Sequence, residues 1–187
     1  MPQFFSSIIE TFSNNIPAQI IGLIALILIV SAYQFDNSKT INMFYIFSSA
    51  LFTVHFFMLG AYTGSLINFL SFLSCIIFNF RGEKKWASTR FWPILFSLLG
   101  VVLGIFTWQN ILSLCPIVSF CFSRASLFCR NATQTRLLML PASILFWIYN
   151  FFSSSFSGVL TESIVLVIAI VAVVRFDILK KEEKKKA

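Results

Sequence analysis

The sequence predicts an all-α integral membrane protein whose seven transmembrane helices form two parallel three-helix bundles joined by a linker helix. Three observations predict it. Of 187 residues, 58% are hydrophobic and 11% charged, whereas about 25% charged residues is usual in a soluble domain. The fourteen Lys and Arg residues all fall on one face once seven crossings are drawn. The third and seventh apolar stretches also carry matching residues at one constant spacing. Mean hydropathy is +0.86, and at roughly 20 residues per crossing the chain accommodates seven spans with short loops.

The apolar stretches run over 16–35, 41–60, 62–80, 91–108, 110–128, 137–152 and 158–176. The fifth is the ambiguous one. It contains Ser113, Pro116, Ser119, Ser123 and Arg124, so taken alone it also reads as a re-entrant or interfacial segment. Charge placement decides for a full crossing, because Lys and Arg in short loops collect on the cytoplasmic side. With seven spans, Lys39 lies in the first loop, Arg81, Lys84, Lys85 and Arg90 in the third, and Arg124, Arg130 and Arg136 in the fifth. Arg175 and five lysines follow the last span, while the even-numbered loops and the N-terminal segment carry none. Removing the fifth span would divide the positive residues between faces. The N-terminus is therefore expected outside and the C-terminus in the cytoplasm.

Residues 1–15 read as an interfacial amphipathic segment, with Phe4, Phe5, Ile8, Ile9 and Phe12 on one helical stripe. No positively charged start precedes a small-residue cleavage site, so a cleaved signal peptide is not expected. Residues 16–80 form the first bundle and 81–108 a basic loop plus linker helix. Residues 109–176 form the second bundle, and 177–187 a basic cytoplasmic tail suited to an anionic leaflet. In the linker, Gly100 and Gly104 are spaced for close helix approach, or are two unrelated glycines. Gly64, Asn68 and Arg81 recur as Gly158, Glu162 and Arg175, each 94 residues on. His55-Phe56-Phe57 lies opposite Trp147-Ile148-Tyr149 at a spacing of 92, which implies a two-residue insertion in the later turn. A single linker helix carries the second triplet back across the bilayer, so both keep one orientation about an axis along the membrane normal.

Composition also limits the chemistry. There are one His, seven acids and four cysteines, Cys75, Cys115, Cys121 and Cys129, with no CxxC pair and no Cys/His spacing that would hold a metal. The cysteines read as small apolar fillers rather than redox or metal groups. No cofactor and no enzymatic activity are expected, since intramembrane catalysis needs a nucleophile with its base, paired acids or a metal. The net charge of +7 serves topology rather than nucleic acid. The partners expected are the lipid bilayer and a small solute. Single chains and homo-oligomers both fit.

The segment Val54-His55-Phe56-Phe57-Met58-Leu59-Gly60, the stretch Cys115-Pro116-Ile117-Val118-Ser119 and the stretch Thr161-Glu162-Ser163-Ile164 resemble the YgjV family of bacterial inner-membrane proteins, over nearly the whole chain. The resemblance implies a multi-pass protein of the bacterial inner membrane. The 3+1+3 plan is in turn similar to SWEET and PQ-loop transporters, which pass small solutes between two triple-helix bundles. That similarity implies substrate-holding polar residues on the third helix of each triplet, matched here by Asn68 and Glu162. It also implies proline hinges, matched by Pro116 and Pro141 in the second bundle. The first bundle has only Pro17 at its mouth and Ser49 in the register of Pro141, and the Pro-Gln pair of the PQ-loop proteins is missing from every span.

Glu162 is the most informative side chain, because an acid within a span costs roughly 2.5–3.5 kcal/mol and is a functional candidate by default. It lines a pore with Asn68, or it satisfies a helix end. His55 offers a proton relay or a hydrogen bond to solute, or is a satisfied packing residue. Trp147, Tyr149 and Asn150 are further substrate candidates, the aromatic rings serving to stack on a solute or to anchor at the interface. Arg81 and Arg175 end their spans as topology markers or as gate ion pairs. The function expected is a small-solute transporter or facilitator working by alternating access between the bundles, the alternative being a non-transporting scaffold or receptor for a partner or lipid. Reporter fusions at the two termini should report opposite compartments; the same compartment for both would refute an odd number of crossings.

Overall fold

The computed structural model describes residues 15–32, 35, 38–126 and 132–174. The interfacial stripe expected at the N-terminus, the basic tail, Cys129, Arg130 and Arg175 lie outside the described residues. Among the described residues seven α-helices follow one another: α1 (Ile16–Ala32), α2 (Ser38–Met58), α3 (Tyr62–Phe78), α4 (Phe91–Phe106), α5 (Leu114–Ser126), α6 (Ala132–Phe152) and α7 (Phe156–Val173). Single 3₁₀ turns at Lys85–Ser88 and Ile111–Ser113 lead into α4 and α5, and no strand occurs among the described residues. Three helices, over Lys39–Met58, Thr133–Phe152 and Phe156–Val173, are long and apolar enough to cross a membrane by length and composition; the other four are apolar but shorter.

The helices α2 and α6 start at Ser38 and Ala132, ahead of the apolar stretches at 41 and 137. Hydropathy marks only the greasy part of a helix, whereas its backbone ladder continues into the polar first turn. The ambiguous fifth stretch is a helix that packs on α3, α4 and α6. Each middle helix lies between its neighbours: α2 packs on α1 and α3, and α6 on α5 and α7. The helix α4 touches α3 and α5, while the pairs α1–α7 and α3–α5 join the two sets. The linker glycines are sites of close approach. A side chain on Gly100 would meet the Phe120 ring, and one on Gly104 would meet Ile117.

The turns that close α2 and α6 have the same build. Gly60 and Ser154 both adopt a left-handed backbone, with φ of 70° and 54°. In each, the residue after it donates across the helix end, Ala61 N–H to the Phe56 carbonyl at 2.9 Å and Ser155 N–H to the Asn150 carbonyl at 3.0 Å. This is the Schellman arrangement, which satisfies carbonyls that a helix end leaves without partners. Glycine takes that conformation freely, whereas Ser154 holds it against a steric cost of about 1–2 kcal/mol. The matching turns remove the two-residue insertion expected in the later one. The spacing stays at 94, so His55 corresponds to Tyr149 rather than to Trp147, and Pro141 corresponds to Phe47 rather than to Ser49. The same spacing relates two further hydrogen bonds between helices. Ser48 donates to the Ala25 carbonyl at 3.0 Å, and Ser119 donates to the Ala142 carbonyl at 2.7 Å. These are equivalent pairs of positions with donor and acceptor exchanged.

Contacts between loops define the two ends of the molecule. Gln109 donates to the Gly60 carbonyl at 2.8 Å, Thr63 to the Thr107 carbonyl at 2.7 Å and Gln19 to the Ser154 carbonyl at 2.9 Å. They gather the start of α1 with the turns after α2, α4 and α6. At the opposite end Lys39 pairs with Glu83, so the basic first and third loops share a face.

The hydrogen bond and charge of Lys39 hold the exposed Glu83 carboxyl below the usual carboxylate range. A lowered carboxyl contributes stability at neutral pH that is lost as the pH falls through that lowered range. Lys39→Ala should therefore melt below the wild type in detergent at about pH 7, with the deficit shrinking toward zero near pH 3. A deficit of equal size at both pH values would show that the pair contributes nothing electrostatic.

Candidate functional site

In an apolar surrounding, every N–H at a helix start must find an acceptor, because there is no water to take its place. The helices α3 and α7 solve this at corresponding positions by different means. The N-cap of α7 is Ser155, whose hydroxyl accepts from Gly158 N–H at 3.1 Å. The helix α3 has Ala61 at that position and no side-chain cap. Its Gly64 N–H donates instead to the Tyr149 hydroxyl of α6 at 2.9 Å. The close approach depends on Gly64, where a Cβ would collide with the Tyr149 ring. His55 makes the reciprocal crossing from α2. Its Nδ1 lies 2.7 Å from the Ala18 carbonyl and its Nε2 lies 2.7 Å from the Ser155 hydroxyl. A carbonyl only accepts, so Nδ1 carries the proton and Nε2 accepts from Ser155. The imidazole is then neutral with both nitrogens satisfied.

These contacts place the sequence candidates in two groups. His55 and Tyr149 are 0% and 4% exposed; His55 links α2 to Ala18 of α1 and Ser155 of α7, and Tyr149 links α6 to Gly64 of α3. Trp147 donates to Ser163 of α7 at 3.0 Å and stacks on Phe151, so it too is engaged between helices. The polar atoms of these three side chains are spent on contacts between helices. The other group is brought together. Asn68 and Glu162 share the wall of one cavity of about 200 Å³ lined by α2, α3, α5, α6 and α7. Both also border an adjoining space of about 70 Å³ that Asn150 lines. Asn150 is fully buried, and neither its amide nitrogen nor its oxygen has a hydrogen-bond partner.

Polar groups converge on the larger cavity from every helix around it. Ser49 comes from α2, Ser71 from α3, Ser119 and Ser123 from α5 and Ser143 from α6. The Ser143 hydroxyl donates to the Glu162 carboxyl, and Asn68 donates to the Gly64 carbonyl at 2.9 Å. Along α3 the wall runs from Ile67 to Cys75, a rise of about 12 Å. Phe56, Phe146 and Tyr149 pack together at the end that carries no Lys or Arg. An engineered cavity of about 150 Å³ holds a benzene, so the space suits a solute of similar or slightly greater size.

The residue that sequence reasoning missed is Arg124. Counted there as a loop charge, it lies in α5 and lines the cavity. The Ser74 and Ser123 hydroxyls accept from its guanidinium, which stands 4.8 Å from the Phe120 ring centroid. The available signal was a charge inside an apolar stretch, the criterion already applied to Glu162. The two proline candidates also part company. Pro116 is the third residue of α5, a few residues into the continuous helical run Ile111–Ser126 that the preceding 3₁₀ turn begins. Pro141 lies inside α6, where it leaves the Leu137 carbonyl without its helical donor.

Comparison with known proteins agrees with the apolar helical build. The family model Imp-YgjV, described as a bacterial inner membrane protein, matches residues 16–180. The chain belongs to the Imp-YgjV family. Inner membrane protein YgjV of Escherichia coli (strain K12) is 24% identical over 159 residues, covering 85% of this chain and 84% of that relative. No solved structure matches the chain. The family match supports a place in the bacterial inner membrane.

Tyr149→Phe removes the acceptor of a buried backbone donor in this Imp-YgjV chain, and such an orphan costs about 1–3 kcal/mol. The variant should melt at a lower temperature in detergent than the wild type. An unchanged melting temperature would mean that Gly64 N–H finds another partner.

Proposed function

We propose that the protein carries a small polar solute across the inner membrane by alternating access between two three-helix bundles. The observation that supports this most directly is the polar cavity between the bundles, with Asn68 and Glu162 at equivalent positions of α3 and α7. Lipid-facing helices have no use for such a space, since each buried polar group is costly unless paired. The solute surrounded by serines, an amide and a carboxylate supplies those partners in turn.

The frame fits the same reading. Seven crossings, with the N-terminus outside and the basic loops in the cytoplasm, are supported by the clustering of Lys39, Glu83 and the third-loop cations at one end. A duplicated triplet, α1–α3 and α5–α7 with α4 as connector, is supported by the constant spacing of 94, the twin turns and the exchanged Ser48 and Ser119 bonds. In this reading the bundles are pinned at the outer end by Tyr149 and His55, and the cavity extends toward the cytoplasmic loops. Opening to the outside requires those two cross-links to break, with Pro141 giving α6 its freedom to bend. Two discrete arrangements of rigid bundles around a fixed site are the usual physical basis of such a cycle.

Uptake of a panel of labelled small solutes into proteoliposomes tests the proposal. At least one solute should enter above background, and Glu162→Gln should lower that flux by about tenfold or more, the loss expected for one charge-assisted contact. Background flux for the whole panel would overturn the carrier reading.

A further inference from the structure

The cavity presents two ionisable groups of opposite type, Glu162 and Arg124, with no ion pair between them among the described residues. Glu162 lies at the end of the cavity shared with Asn68, Ser143 and the smaller space. Arg124 lies toward the other end, against Ser74 and beside Cys75. Among the described residues the ion pairs do not include Arg124, and its buried Nε has no hydrogen-bond partner. Its described contacts are two serine hydroxyls and the Phe78 and Phe120 rings, none of which carries a negative charge. The remaining titratable side chains on the wall, Tyr45 and Cys75, bring a hydroxyl and a thiol. A guanidinium held within helices without a carboxylate is costly, and the planar fork it offers matches a carboxylate group.

We propose that the solute is a small zwitterion of the amino-acid class, its carboxylate against Arg124 and its ammonium group against Glu162 and Asn68. This deepens the carrier reading and rests on the same cavity. The alternatives leave a charge uncompensated. A neutral polyol meets neither charge, an anion faces Glu162, and a cation faces Arg124. Only a solute bearing both signs pairs each wall group at once. The serines around each charge complete the hydrogen bonds that a carboxylate and an ammonium group require.

Calorimetric titration of the full chain in lipid nanodiscs with four-carbon probes tests this. The probes are 2-aminobutyrate and 4-aminobutyrate as zwitterions, butyrate, butylammonium and erythritol. The wild type should bind one of the aminobutyrates at least about tenfold more tightly than the three others, the minimum expected for one added charge-assisted contact. Arg124→Gln should lose that preference and favour butylammonium, Glu162→Gln should favour butyrate, and Arg124→Lys should restore part of the zwitterion affinity. Melting temperatures of the variants separate loss of binding from loss of fold. Preference for erythritol or for a singly charged probe, or no binding of any probe by the folded wild type, would overturn the zwitterion assignment. Erythritol preferred together with measurable solute flux would leave the carrier reading standing. Aminobutyrate bound with background flux for every solute would overturn the carrier reading and keep the zwitterion site.

Discussion

The structure depends on how the starts of α3 and α7 are satisfied. Lipid offers no hydrogen bonds, so the free N–H groups of a helix end are a demand that the protein itself must meet. The helix α7 meets it locally through Ser155, whose hydroxyl is also hydrogen-bonded to His55 of α2. The helix α3 lacks a capping side chain and borrows the Tyr149 hydroxyl from α6. Each set thereby completes the other at one end. The cavity begins below these links and runs toward the basic loops.

Small residues make those links geometrically feasible. In lipid, helices associate by close packing and by polar contacts rather than by a hydrophobic drive between them. A Cβ on Gly22 would run into Ser157 and His55, one on Gly64 into Tyr149, and one on Gly158 into Asn150. The linker α4 uses Gly100 and Gly104 in the same way to receive Phe120 and Ile117 of α5. The polar interior and the glycine contacts are thus two parts of one device. Where backbones approach closely, polar side chains reach across; where larger side chains hold the helices apart, the cavity opens.

The site was legible in proportion to how far each residue stood out from its apolar surroundings. Glu162 and Asn68 interrupt greasy stretches at matching positions, and the structure sets both on the same wall. Arg124 interrupts a stretch equally, yet a positive charge near a span end also counts as a topology marker, which concealed its place in the cavity. His55 and Tyr149 stood out for the same reason as Glu162 but are consumed by the fold. Polarity inside an apolar helix announces that a partner exists; it does not say whether that partner is a solute, a carbonyl or a helix end.

The chain order by itself determined the class of fold, the succession of apolar helices and the segregation of positive charge, because each follows from local composition and a length set by the bilayer. The tertiary structure alone decided that the turns after α2 and α6 share one build, and that five helices line one cavity with Glu162 and Arg124. Those outcomes depend on which atoms meet across helices far apart in the chain, and such meetings leave no periodic trace in the residues that make them.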